Sequence, residues 1–231
     1  MSLDPHDRLI RGLADDLKPV RRLTPPVLRA LGWLAVVAAL GAGLAAFAHV
    51  DAMWQRVTAA PDLWLAVIGS ALTAVLAAIA AFELSQPDAP RGWGLLPLPA
   101  ALLWIAASGF GCLRAWIAPQ THVADMAEAR DCLIFIVALS VPLSALLLLM
   151  LRRGFTLYPG LTAAVAGLAV AAAAATLLNF FHPYDAAATD LAVHAAAVVI
   201  VIAINRTLGG RFLAAPALVP VDVTADGVRS N

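Results

Sequence analysis

The stretch LIFIVALSVPLSALLLLML at residues 133–151 is followed by RRG at 152–154 and, three residues later, by YPGLTAAVAGLAVAAAAATLLNFF at 158–181. Neither apolar run holds a charged residue. A helix rises ~1.5 Å per residue, so about 20 residues cross the ~30 Å hydrocarbon core of a bilayer. Two such runs joined by a short, arginine-bearing turn read as antiparallel neighbours in a membrane. Four further runs follow the same pattern, at 29–50, 63–84, 95–113 and 191–204, the last extending toward Leu208. Together they predict an all-α, polytopic membrane protein with six transmembrane helices. The expected organisation is an N-terminal segment at 1–28, a membrane domain at 29–208 and a disordered tail at 209–231.

Composition supports this reading. Of 231 residues, 62% are hydrophobic and 13% charged, and the mean hydropathy is +0.86. A soluble domain is about half apolar and a quarter charged. The excess excludes an ordinary cytosolic enzyme, a disordered chain and a module that binds nucleic acid directly. Two cysteines make no disulfide scaffold. The start MSLDPHDRLI lacks the layout of a cleaved signal, so it is expected to be retained.

Net charge is zero, but the basic residues are placed asymmetrically. Arg8, Arg11, Lys18, Arg21, Arg22, Arg29, Arg91, Arg152, Arg153, Arg206, Arg211 and Arg229 fall on one side of a six-span layout. Arg56, Arg114 and Arg130 fall on the other. The positive-inside rule then puts both termini in the cytoplasm. Trp33 and Trp93 are expected near the inner surface, with Trp54, Trp64 and Trp116 near the outer one, as an aromatic belt. Trp104 is expected between helices. Pro159 suits the start of a helix, where its missing N–H costs little, and Pro142 should kink the fourth span.

Chemistry is scarce inside the spans. Intramembrane charges usually mark ion or proton pathways, and no span carries one near its centre. Glu83, Asn179, Asp190, His194 and Asn205 lie toward span ends. Ser70, Thr73, Ser108, Ser140, Ser144, Thr162 and Thr176 are residues of the kind that join membrane helices. No catalytic, phosphate-binding or metal-site motif is present, so neither an enzyme nor a cofactor is expected. A small transporter or channel is the competing class, and it would need polar groups at mid-membrane. A membrane redox protein finds thin support in two cysteines without a C-x-x-C pair.

The N-terminal segment is the one substantial polar stretch. Asp4 can cap a helix and Pro5 can begin it. Leu9, Ile10, Leu13 and Leu17 then share one face, while Asp7, Arg8, Arg11, Asp15 and Asp16 take the others. Pro19 ends the helix. Arg21, Arg22 and Arg29 read as anchors of the first span. A stripe backed by mixed charges is poorly matched to anionic lipid and better matched to a protein groove.

An N-terminal stretch and three later ones carry a resemblance. Asp7-Arg8-Leu9-Ile10 is followed by Leu13-Ala14-Asp15-Asp16-Leu17-Lys18-Pro19-Val20-Arg21-Arg22-Leu23 and by Pro25-Pro26. Arg130-Asp131-Cys132-Leu133, Arg152-Arg153-Gly154 and Asn179-Phe180-Phe181-His182-Pro183 follow later. With these the chain resembles, from Asp7 to Phe212, the NrsF-like (negative regulator of sigma F) family of bacterial inner-membrane anti-sigma factors. The resemblance implies that the N-terminal segment binds an extracytoplasmic-function sigma factor and keeps it from RNA polymerase. Leu9, Ile10, Leu13, Leu17, Arg21 and Arg22 would form the contact. Family members commonly carry a second cysteine directly after the histidine that begins the last outer loop, and here that position is Pro183.

Cys112 and Cys132 flank the second outer loop, at the outer ends of two helices expected to be adjacent and antiparallel, and that loop also holds His122, Asp125 and Glu128. His182 and His194 lie on or beside the last one. Two alternatives stand for the thiols. They are packed residues at helix ends, or they sense an envelope signal as a disulfide or as soft-metal ligands with His182.

Overall fold

The computed structural model describes residues 4–15, 23–46, 61–117, 126–178 and 188–214. Among them every regular element is helical. In order they are α1 (Pro5–Asp15), α2 (Pro26–Ala45), α3 (Pro61–Leu84), a 3-10 turn (Arg91–Leu95), α4 (Leu98–Ile117), α5 (Met126–Leu151), α6 (Pro159–Leu178) and α7 (Ala188–Ile204). A π-helical turn (Asn205–Gly209) then leads into α8 (Gly210–Ala214). Six helical segments are long and apolar enough to cross a membrane, and they fall on the six runs of the sequence.

The six spans form a ring of five around one. The central helix is α6: 78% of its span is buried inside the bundle, against 50% for α3 and 22–28% for the others. Around it come α2, α3, α4, α7 and α5, each packed on the next, and α5 returns to α2. Composition explains the position of α6. Ala163, Ala166, Gly167, Ala169 and Ala171 through Ala174 are all buried, and small side chains let neighbouring backbones approach closely. At Gly167 an added Cβ would stand 3.0 Å from Ile202 Cα on α7. The same device joins α3 to α4, where a Cβ on Gly69 would lie 2.8 Å from both Cα and N of Trp104.

Hydroxyl groups fix the long antiparallel contact between α3 and α6. Near one end the Thr176 hydroxyl donates to Ser70 Oγ at 2.9 Å, and near the other the Thr162 hydroxyl donates to the Leu84 carbonyl at 3.3 Å. The short turn after Leu151 makes α5 and α6 packed neighbours, as its length predicts. Pro159 is the first residue of α6, in agreement with its fixed φ and missing N–H. Helix α5 runs continuously through Pro142.

Several expectations need correction. The first span begins at Pro26, three residues before the predicted start, so Arg29 is inside its first turn and buried. Trp33, one turn further along the same face, is also buried and donates its indole N–H to the Leu143 carbonyl at 3.3 Å. The sequence reads Arg29 as an anchor of the first span and Trp33 as part of the inner aromatic belt, and gives no sign that either side chain faces the bundle interior. They turn inward because that face of α2 meets α3 and α5. The sixth span continues through the π turn to Ala214, into residues assigned to the tail. Trp64 is exposed at the start of α3, and Trp104 is half-buried at its crossing with Gly69, between helices as expected.

Candidate functional site

Helix α1 is built as its sequence suggests. The Asp4 carboxylate accepts from the His6 backbone N–H at 3.3 Å, which satisfies one of the donors left free at a helix start. Pro5 opens the helix. Leu9, Ile10 and Leu13 stand 61%, 63% and 61% exposed on one face, with Asp7, Arg8 and Arg11 also exposed around it. Residues 6–15 are all exposed, so the rest of the described chain leaves the stripe uncovered. Leu17, Arg21 and Arg22 lie outside the described residues.

The span ends on the same side as the start of α2 are tied together by arginines stacked on aromatic rings. Arg29 of α2 lies over Phe82 of α3, 4.9 Å from the ring centroid. Arg91 of the 3-10 turn lies over Tyr158 just before α6, and Arg152 after α5 lies over Phe212 of α8, each at 4.4 Å. A cation over an aromatic face is attracted by the ring quadrupole, more strongly where water is excluded. Arg29 also donates to the Met150 carbonyl near the end of α5 and to Ser85 Oγ at 3.4 Å. One side chain therefore connects the start of α2 to the ends of α3 and α5. Gly154 fits against this joint, since a Cβ there would collide with the Ser85 carbonyl.

Sequence reasoning missed this framework. Its signal was the recurrence of arginine and aromatic residues at span ends (Arg29, Phe82, Arg91, Tyr158, Arg152 and Phe212), of which the arginines alone were read, as topology signals. It also placed Asn205 among polar residues near span ends. The structure buries Asn205 in the π turn, where Nδ2 donates to the Val201 carbonyl at 2.9 Å and to Ser144 Oγ at 3.0 Å. Its Oδ1 and the Ser140 hydroxyl are buried without a partner among the described residues.

Cys112 belongs to α4 and Cys132 to α5, but the side chains of both lie outside the described residues, as does all of His182. The expectation that these two helices are packed neighbours is not met along their described lengths. Helix α4 packs on α3 and α7, and α5 packs on α6, α7 and α2. Among the described residues no group of three or more His, Cys, Asp or Glu is arranged to hold a metal.

Comparison with known proteins adds one finding. A family model described as NrsF, negative regulator of sigma F, matches residues 13–214. No curated protein and no solved structure matches the chain.

Proposed function

The chain belongs to the NrsF family of negative regulators of sigma F, and from that premise we propose that it is an inner-membrane anti-sigma factor that sequesters an extracytoplasmic-function sigma factor through α1. The observation that carries this reading is the uncovered stripe of Leu9, Ile10 and Leu13. Fully burying a large apolar side chain is worth ~1.5–3 kcal/mol, so at about 60% exposure each of the three offers roughly 1–2 kcal/mol to a partner. The contact would continue through Leu17, with Arg21 and Arg22 orienting the partner. A groove on sigma filled by this stripe is closed to RNA polymerase. Ten residues (16–25) separate α1 from α2, a reach of at most ~35 Å when extended. Bound sigma is therefore held at the membrane surface.

Release follows an envelope signal, redox or metal, received at the opposite face by Cys112, Cys132 and His182. Helix α5 is the connecting element. It carries Cys132 near one end, and near the other the Met150 carbonyl that receives Arg29. A shift of α5 moves Arg29, the first turn of α2 and the segment that presents α1. A tenfold drop in sigma affinity requires about 1.4 kcal/mol of difference between the two arrangements.

The test is a sigma-dependent reporter in cells that carry the full chain. Leu13→Asp buries an unpaired carboxylate at the contact, which costs several kcal/mol. It should switch the reporter on while membrane levels of the protein stay unchanged, whereas Arg11→Ala on the polar face should change it little. A reporter as silent with Leu13→Asp as with the native chain would overturn the assignment of the stripe.

A further inference from the structure

Asn205 meets Ser144 at 3.0 Å, and an added Cβ on Gly209 would stand 3.0 Å from the end of the Leu148 side chain. Both partners advance by four residues, so α5 and the continuation of α7 run parallel and in register. In that register Ser140, one turn before Ser144, stands opposite Val201. The three polar residues lie near the middle of their spans, Leu133–Leu151 and His194–Ala214.

This joint is incomplete. Ser140 is 3% exposed and Asn205 4%. The Ser140 hydroxyl and Asn205 Oδ1 are sealed from water and have no hydrogen-bond partner among the described residues. Buried polar atoms are nearly always paired, because one left without a partner is costly. These two are complementary, a donor and an acceptor. They are also near each other in register, because the Asn205 amide folds back to the Val201 carbonyl, the level at which Ser140 stands.

Only one side is free to close the gap. Asn205 is backed by α6, where a Cβ on Gly167 would stand 2.9 Å from Asn205 Cβ and 3.0 Å from Ile202 Cα. Ser140 belongs to the first half of α5, which carries Cys132, and Pro142 separates it from Ser144. Proline has no N–H, so the Ala138 carbonyl lacks its usual donor and the two halves of the helix share one backbone bond fewer. Such a point is where helices bend. The second half is tied down. Trp33 donates to the Leu143 carbonyl, Asn205 to Ser144 Oγ and Arg29 to the Met150 carbonyl.

We infer that the first half of α5 tilts on Pro142 toward α7, and that Asn205 latches it there. In the latched position the Ser140 hydroxyl donates to Asn205 Oδ1 while Nδ2 keeps Ser144, so each orphaned atom satisfies the other. The structure shows the unlatched position. Helix α5 thus has two discrete arrangements, which differ most at the end that carries Cys132. The tilt reaches α2 through the Leu143 carbonyl, one residue past the hinge. The latch does not rest on the sigma-binding reading, and its test contains no sigma.

The experiment uses the full chain in neutral detergent, with nitroxide labels coupled to p-acetylphenylalanine so that both native cysteines stay in place. Labels at Ile134 and at Leu40 of α2 report on the first half of α5, and labels at Leu149 and Leu31 report on the second. All four positions are exposed on the spans. Distances are read by pulsed double electron–electron resonance. The first pair should show two distances, the longer one latched, and the second pair should differ less between the two arrangements. Ser140→Ala and Asn205→Ala should each remove the longer distance, and Ser140→Thr should keep it. Pro142→Ala, at an exposed position, should cut its share at least threefold. A single distance for the first pair in the native chain would overturn the latch, as would a longer distance that survives Ser140→Ala. Equal changes at both pairs, or an unchanged share with Pro142→Ala, would overturn the hinge.

Discussion

Gly69→Ala adds one methyl group where α3 crosses α4. The new Cβ would lie 2.8 Å from both Cα and N of Trp104 and 3.0 Å from its Cβ. Touching carbons prefer ~3.5–4.0 Å, so the shortfall is roughly 0.7–1.2 Å. The obstructing atoms are helix backbone, which no rotamer change can move, so α4 as a whole must shift. Overpacking of this kind costs about 1–3 kcal/mol. Gly43→Ala is the matched comparison, because no atom lies within 4 Å of its added Cβ. It should be neutral or slightly stabilising, since alanine is the better helix former. The assay is the thermal unfolding midpoint of both variants in one detergent. For a chain of this size 1 kcal/mol corresponds to about 2–4 °C. Gly69→Ala should therefore melt several degrees below Gly43→Ala. If the two melt together, the close crossing of α3 and α4 is wrong, and with it the order of the ring.

Asp4→Ala removes the cap of α1, worth about 0.5–2 kcal/mol; a helix of 11 residues is marginal alone, so sigma affinity measured on the full chain should fall severalfold, and Asp4→Ser should restore most of it. Reporter fusions after Arg91 and Arg153 should read cytoplasmic and a fusion at Gln120 periplasmic; the reverse pattern would invert the scheme. Labelling intact cells with a membrane-impermeant maleimide should show Cys112 and Cys132 becoming more reactive after reduction, or protected by added metal. If neither changes, sensing by these thiols is dropped and the anti-sigma role stands without it.

The spans were legible because length and apolarity alone decide them. So was the start of α1, because Asp4-Pro5 is a local signal that needs no tertiary partner. The order of the helices was not legible. In lipid both faces of a helix are apolar, so periodicity no longer tells inside from outside, and α6 is set apart only by its alanines and Gly167. Arg29 and Trp33 carry the composition of a membrane interface, yet they lie four residues apart on the face of α2 that meets α3 and α5. Only the packing reveals that they point inward. The same limit applies to Cys112 and Cys132. Succession along the chain suggested adjacent helices, whereas the ring places α7 between α4 and α5.

The central claim is that α1, at the face where α2 begins, holds a sigma factor. Photoactivatable cross-linking amino acids placed singly in the full chain test it most directly in living cells. Positions Leu9 and Leu13 sample the stripe, Gly43 an open position on a membrane-spanning helix, and Arg130 the opposite end of α5. The account predicts adducts with an extracytoplasmic-function sigma factor at Leu9 and Leu13 and none at Gly43 or Arg130. Sigma adducts at Arg130, or none at either stripe position in a chain that still represses the regulon, would contradict it.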